Sequence, residues 1–124
     1  MEKFRILIAE HNGSYRKLFK DVLQKPFPKI VIDEATDGRE ALQKVDAFPP
    51  DLIFMDIRLP DENGLELTKR IKATHHNIRI VILTSFDTPE YRGAVSQCGG
   101  DHFLVKGSFS SMEIEELVKS YLTV

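Results

Sequence analysis

The chain has 124 residues, a formal net charge of −2 and one cysteine, with 42% apolar and 29% charged residues. That mix suits one soluble domain with a real core, and the interspersed charges leave no footprint for nucleic acid or an anionic membrane. The single Cys98 excludes an internal disulfide and a cysteine-based zinc cluster. No apolar run reaches membrane-spanning length, and Met1-Glu2-Lys3-Phe4 enters a strand-like run without a signal peptide, so the cytoplasm is the expected location.

Phe4–Ala9 is the first strand candidate; Glu10 and His11 stand at its end, before an Asn12-Gly13 turn. Tyr15, Leu18, Phe19, Val22 and Leu23 recur at helical spacing until Pro26 and Pro28 stop that helix. Ile30–Ile32 is a short second strand. Asp37 with Glu40 has the pattern of a capping box for a second helix, whose stripe is Ala41, Leu42, Val45 and Phe48. After Pro49-Pro50 comes Leu52–Pro60, whose first residues, Leu-Ile-Phe-Met, run directly into Asp56. A run so short and apolar reads as a strand buried on both faces.

Beyond Asn63-Gly64, Leu67 and Ile71 mark a third helix with a weaker stripe, ending in His75-His76-Asn77. Ile80–Leu83 is a fourth strand and leads to Thr84-Ser85. Thr88-Pro89-Glu90 starts a fourth helix with a hydroxyl cap, proline at its first position and an acid in its first turn. Gly99-Gly100 ends it. Phe103–Val105 is a fifth strand, followed by Lys106-Gly107. Ser110 with Glu113 opens a last helix carrying Ile114, Leu117, Val118, Tyr121 and Leu122.

Alternation of five strands with five helices predicts a doubly wound α/β domain with a parallel sheet in the order 2-1-3-4-5. All strands then end on one edge, and a ligand site is expected at the switch point between the first and third strands. No linker or repeat divides the chain, so residues 1–124 are expected to form one domain, with no output domain in this sequence.

Glu10 and His11, Asp56, Thr84 and Lys106 are remote in sequence but share a strand-end position. A strand-end acid often only faces water, a threonine there often only turns the chain, and a lysine before glycine is often a solvated tail. Together, an acid, a hydroxyl and a fixed cation suit phosphoryl chemistry, with the carboxylate as acceptor. Other motifs carry less. Cys98 lies on a buried helical stripe, and His75-His76 are adjacent in a loop and share no helix face.

The stretches Arg5–Glu10, Asp33–Leu42, Pro50–Leu67, Val81–Ser85 and Gly99–Lys106, and above all Met55-Asp56-Ile57-Arg58-Leu59-Pro60 with Asn63-Gly64, resemble the receiver domain of two-component response regulators, the CheY-like, flavodoxin-like group. The resemblance covers essentially the whole chain. It implies that Asp56 takes a phosphoryl group from a histidine kinase or phosphotransfer protein with the help of Mg²⁺, held by Glu10, Asp56 and the Arg58 main-chain carbonyl. It implies that Thr84 and Lys106 bind the phosphoryl group, and that Phe103 holds the aromatic switch position. The signal would pass to the face of the fourth helix, fifth strand and fifth helix, including Tyr91, Val95, Gln97, His102 and Phe103. A downstream protein or a phosphorylation-dependent homodimer would read that face. Arg58 and Phe86 occupy the positions that tune phosphate lifetime; both are bulky and are expected to shield the acyl phosphate.

The chain departs from the family where a second acid is usual, since His11 stands there. Mg²⁺ prefers hard oxygen ligands, whereas softer divalent ions accept imidazole, so Mg²⁺ is expected to bind weakly or to be replaced. Lys106, and Arg58 if it turns inward, would offset Glu10 and Asp56 and leave the site near neutral. Three readings of His11 stand open: a neutral bystander, a ligand for Mn²⁺ or Zn²⁺, or a cation near pH 6–7. The leading reading is a signalling switch that catalyses only its own phosphotransfer. A pseudo-receiver, acting as a phosphorylation-independent interaction module, is the alternative. A flavin enzyme would need a phosphate loop after the first strand, and an aspartate-nucleophile phosphatase would want an acid where Arg58 stands.

Overall fold

The computed structural model describes residues 3–85 and 88–122. The strands are β1 (Arg5–Ala9), β2 (Val31–Ala35), β3 (Leu52–Asp56), β4 (Arg79–Thr84) and β5 (His102–Val105). The helices are α1 (Gly13–Gln24), α2 (Gly38–Ala47), α3 (Gly64–Thr74), α4 (Pro89–Cys98) and α5 (Ser111–Leu122). The strands form one parallel sheet in the order β2-β1-β3-β4-β5, as the alternation predicted.

Successive side chains of a strand point to opposite faces, so each strand feeds two cores. On one face Leu7, Ala9, Ile53, Met55, Ile80 and Ile82 pack under α2, α3 and α4. On the other, Ile8, Phe54, Val81 and Leu83 meet Phe19 and Leu23 of α1 and Ile114 and Val118 of α5. Central β3 is buried along its whole length, which is why its sequence lacks polar alternation.

Each helix begins on a side-chain cap. Asn12 Oδ1 accepts from the Ser14 and Tyr15 amides at 2.8 and 3.3 Å, and Asn63 Oδ1 from the Leu65 amide at 2.7 Å. Thr88 caps α4 through the Tyr91 amide, and Ser110 caps α5 through the Glu113 amide. Asp37 receives the Glu40 amide at 2.8 Å, but the Glu40 carboxylate reaches Thr36, whose amide donates to it at 2.7 Å. The expected capping box is therefore displaced by one residue on its return side. The α2 start has a second acceptor: Asp61, from the β3–α3 loop, receives the Gly38 and Arg39 amides at 2.7 and 3.1 Å.

Phe48, expected on the buried stripe of α2, instead follows its last residue and is exposed, and β2 runs through Asp33 and Glu34 to Ala35 rather than ending at Ile32. As the outer strand its acids reach basic partners on the flanking helices. Glu34 pairs with Arg16 and Lys20, and Asp33 with Lys44. Among the described residues no helix is long and apolar enough to cross a membrane.

Candidate functional site

The carboxyl ends of β1, β3, β4 and β5 converge on one point. Asp56 is the last residue of β3 and only 5% exposed. Glu10 follows β1, tied to the sheet by its amide on the Ala35 carbonyl at 3.0 Å, and is 1% exposed. Thr84 ends β4 at 2% exposure, and Lys106 follows β5 with its amide on the Thr84 carbonyl at 2.7 Å. The Lys106 ammonium lies 3.2 Å from Asp56 Oδ2 and also ion-pairs with Glu10 Oε1. Asp56, Ile57, Arg58, Thr84, Ser85 and Lys106 line a cavity of about 60 Å³ here. Five of the strand-end residues read from the sequence are accounted for; Glu10, Asp56, Thr84 and Lys106 meet, and His11 does not.

The loops that frame this point are tightly fixed. Asp56 Oδ1 accepts the Arg58 amide at 3.1 Å, and the Gly64 amide donates to the Ile57 carbonyl at 2.7 Å. The backbone at Gly64 passes so close that a Cβ there would fall 2.0 Å from the Asp56 carbonyl oxygen. Only glycine allows the chain to return over the end of β3 in this way. On the other side, the Asn12 amide donates to Glu10 Oε2 at 3.1 Å. The Arg16 guanidinium donates to the Glu10 and His11 carbonyls at 2.7 and 2.9 Å, clamping the β1–α1 loop. Arg16 was not singled out from the sequence, because a basic residue in a first helical turn carries no signal until the loop carbonyls are placed. Nor was the contact of the Lys106 ammonium with the Tyr15 ring, 4.8 Å from its centroid.

Two acids and one lysine share this small volume, and their protonation is linked. Burial and then the neighbouring Glu10 carboxylate push Asp56 up from 3.8 to about 6, against the pull of the Arg58 amide and Lys106. For Glu10 burial also acts upward, but hydrogen bonds with Asp56, Lys106 and the Asn12 amide outweigh it, and its pKa is lowered. Burial would lower Lys106, yet its bond to Glu10 and the charge of Asp56 raise it, so it remains an ammonium. At neutral pH the site holds two carboxylates against one cation, with Glu10 Oε1 accepting no well-aligned hydrogen bond.

That donor set fits a divalent ion at a reduced ligand count. Glu10, Asp56 and the Arg58 carbonyl are hard oxygen donors. His11 adds nothing to them: it is exposed, and its Nδ1 lies 3.4 Å from the Thr36 carbonyl. Among the described residues no three acids, histidines or cysteines converge as a ready metal cluster. Arg58 is exposed at the cavity rim, and Lys106 contacts both acids. Phe86 lies outside the described residues.

Of the surface positions, Gln97 and His102 are exposed and Tyr91 and Phe103 half-buried. The Arg92 guanidinium lies 4.8 Å over the Phe103 ring. Val95 is 4% exposed within the core beneath α4, so it supports that face from below without forming part of it.

An acid–lysine–hydroxyl pocket thus lies at the carboxyl edge of a doubly wound, flavodoxin-like sheet. The chain belongs to the response regulator receiver domain family, whose model matches residues 6–119. It is 30% identical over 115 residues to the chemotaxis protein CheY of Thermotoga maritima, covering 93% of this chain and 95% of that protein. It is 38% identical over 96 residues to a protein-glutamate methylesterase/protein-glutamine glutaminase of a Nocardioides species, covering 77% of this chain but 25% of that enzyme. The chain thus spans a quarter of that enzyme, and about half the length of two Bacillus subtilis transcriptional regulatory proteins that it also matches. A two-component response regulator from Clostridium difficile superposes with a TM-score of 0.89 at 28% identity, covering 98% of this chain and 97% of that one. Receiver domains are signalling switches that interact with histidine kinases or phosphotransfer proteins and with downstream effectors, and they generally bind Mg²⁺ at the phosphorylation site.

Proposed function

We propose that this domain is a phosphorylation-driven switch in which Asp56 accepts a phosphoryl group from a phosphohistidine donor. The observation that carries the reading is the convergence of buried Asp56 with Thr84 and Lys106 around a cavity of phosphoryl size. Asp56 titrates near 6, so at neutral pH it is the carboxylate that attack requires. A carboxylate oxygen attacks phosphorus and the P–N bond breaks. The electron pair returns to the donor imidazole, which takes a proton from solvent. The Lys106 ammonium then exchanges its contact with Asp56 Oδ2 for one with a phosphoryl oxygen, and the Thr84 hydroxyl donates to another.

Glu10, Asp56 and the Arg58 main-chain carbonyl would hold Mg²⁺, which supplies positive charge to the transferring oxygens. With His11 turned to Thr36, that ion is bound weakly, or a softer divalent ion takes its place. Arg58 and Phe86 restrict water at the acyl phosphate and lengthen its life. Movement of Thr84 and Phe103 alters the α4–β5–α5 face around Tyr91, Gln97 and His102, with Val95 beneath it. A downstream protein, or a second copy after phosphorylation, reads that surface. The expected compartment is the cytoplasm.

The competing reading, a pseudo-receiver that binds partners without phosphate, is favoured by His11 alone. Acetyl phosphate or beryllofluoride in Mg²⁺, Mn²⁺ or no metal separates the two by intact mass and NMR. A metal-dependent adduct in wild type and none in Asp56→Asn supports phosphorylation; no adduct under any metal refutes it.

A further inference from the structure

Lys106 is the one cation that touches both acids of the site among the contacts described above, and its placement decides whether a phosphoryl oxygen finds an ammonium waiting. Its long stem has several rotatable bonds, and such a side chain is costly to hold in one place. Two of its constraints, Glu10 and Asp56, are carboxylates, and the second must give up its contact when phosphate arrives. A third constraint does not change with phosphorylation. The Tyr15 ring lies 4.8 Å from the Lys106 ammonium. Tyr15 is itself fixed: its amide is capped by Asn12 Oδ1 at 3.3 Å, and its ring packs beside the apolar cluster under α1 and α5.

We infer that Tyr15 is a positioning residue for phosphotransfer, whose ring face holds the Lys106 ammonium at the acid pair before and after Asp56 is modified. This rests on the phosphoacceptor reading above. A ring face attracts an ammonium through its quadrupole, and more strongly where the ammonium is shielded from water, as here with the Lys106 side chain 15% exposed. The ring is neutral, so it restrains Lys106 without competing for a proton or for the phosphoryl group. Packing alone would be satisfied by any apolar side chain of similar size; the cation contact needs an aromatic face.

The test compares Tyr15→Phe and Tyr15→Leu. The first keeps the ring; the second keeps apolar bulk and loses the face. Two quantities are read: the rate of beryllofluoride or acetyl phosphate adduct formation in the metal that serves wild type, and the NMR shift of the Lys106 ε-methylene protons without phosphodonor. Tyr15→Phe stays within about twofold of wild type and keeps the ring-current shift of Lys106. Tyr15→Leu slows adduct formation roughly fivefold and moves that resonance to the position of a solvated lysine. In a Lys106→Gln background, Tyr15→Leu has no further effect on rate, which loss of packing would not reproduce. Equal rates for the Phe and Leu variants, or an unmoved Lys106 resonance, overturn the inference while leaving the phosphoacceptor reading intact. Absence of any adduct in wild type overturns both.

Discussion

Replacing Asp56 by asparagine is expected to stabilise the domain at neutral pH, and by an amount that depends on pH. In the folded chain Asp56 titrates near 6, against an ordinary 3.8, chiefly through burial and the nearby Glu10 carboxylate. Between those two values the folded state holds a proton on Asp56 that the unfolded chain has released. Stability from this group therefore falls as pH rises from about 4 to about 6 and stays low above that. A rise of about two pH units corresponds to about 3 kcal/mol at 1.36 kcal/mol per unit. Asparagine has no charge to bury, but it also gives up the ionic part of the Lys106 contact at 3.2 Å. The pull of that lysine is already contained in the rise to about 6, so the expected net gain for Asp56→Asn at pH 7.5 stays at about 3 kcal/mol. Glu10 keeps its lysine in both proteins, so the contribution of that pair, present above its unfolded pKa and lost in acid, largely cancels. Urea unfolding of both proteins at pH 4.5, 6 and 7.5 measures this. The two curves should approach each other at pH 4.5 and separate by 7.5. A variant less stable than wild type at pH 7.5, or a difference unchanged across the range, would refute the idea that Asp56 is held charged at a cost.

Gly64→Ala should destabilise the fold by about 2–4 kcal/mol. The new Cβ meets the Asp56 carbonyl at 2.0 Å, and backbone cannot yield as a side-chain tip would. A melting temperature equal to wild type would contradict that close approach. His11→Asp places a third acid beside Glu10 and should raise Mg²⁺ affinity by about tenfold or more, measured by titration of amide shifts; an unchanged affinity would mean that this position cannot reach the ion. The Arg58→Ala, Phe86→Ala double variant should lose phosphate faster than wild type in an acyl phosphate decay assay. Slower loss would remove these residues as shields.

Most of the frame was legible because its signals are local. The apolar run Leu52–Met55 into Asp56, the caps at Asp37, Thr88 and Ser110 and the stop at Gly99 each depend on a few neighbouring residues. Gly99 adopts φ 91°, the left-handed conformation expected where α4 ends. What was missed needed partners remote in sequence. β2 looked too polar beyond Ile32 because Asp33 and Glu34 are matched by lysines and an arginine from two helices. Glu40 caps one residue earlier than the motif implies, since the Thr36 amide is within its reach. Within the site, acid, hydroxyl and lysine could be named from their strand-end positions. The Arg16 clamp, the Tyr15 ring and the turn of His11 toward Thr36 depend on how one loop is folded over the sheet.

The polar character of β2 has a consequence for the chain in company. A parallel sheet ends at β2 with one row of backbone amides and carbonyls facing outward, a natural template for another strand. Asp33 and Glu34 point to opposite faces there, and each is held by basic side chains from the helix on its own side. A foreign strand seeking to extend the sheet would have to crowd against these charges and part ion pairs on both faces at once. The pairs contribute little to folding free energy, being half-exposed. Charge on an edge strand disfavours strand addition, so neutralising Asp33 and Glu34 is expected to raise self-association at high concentration.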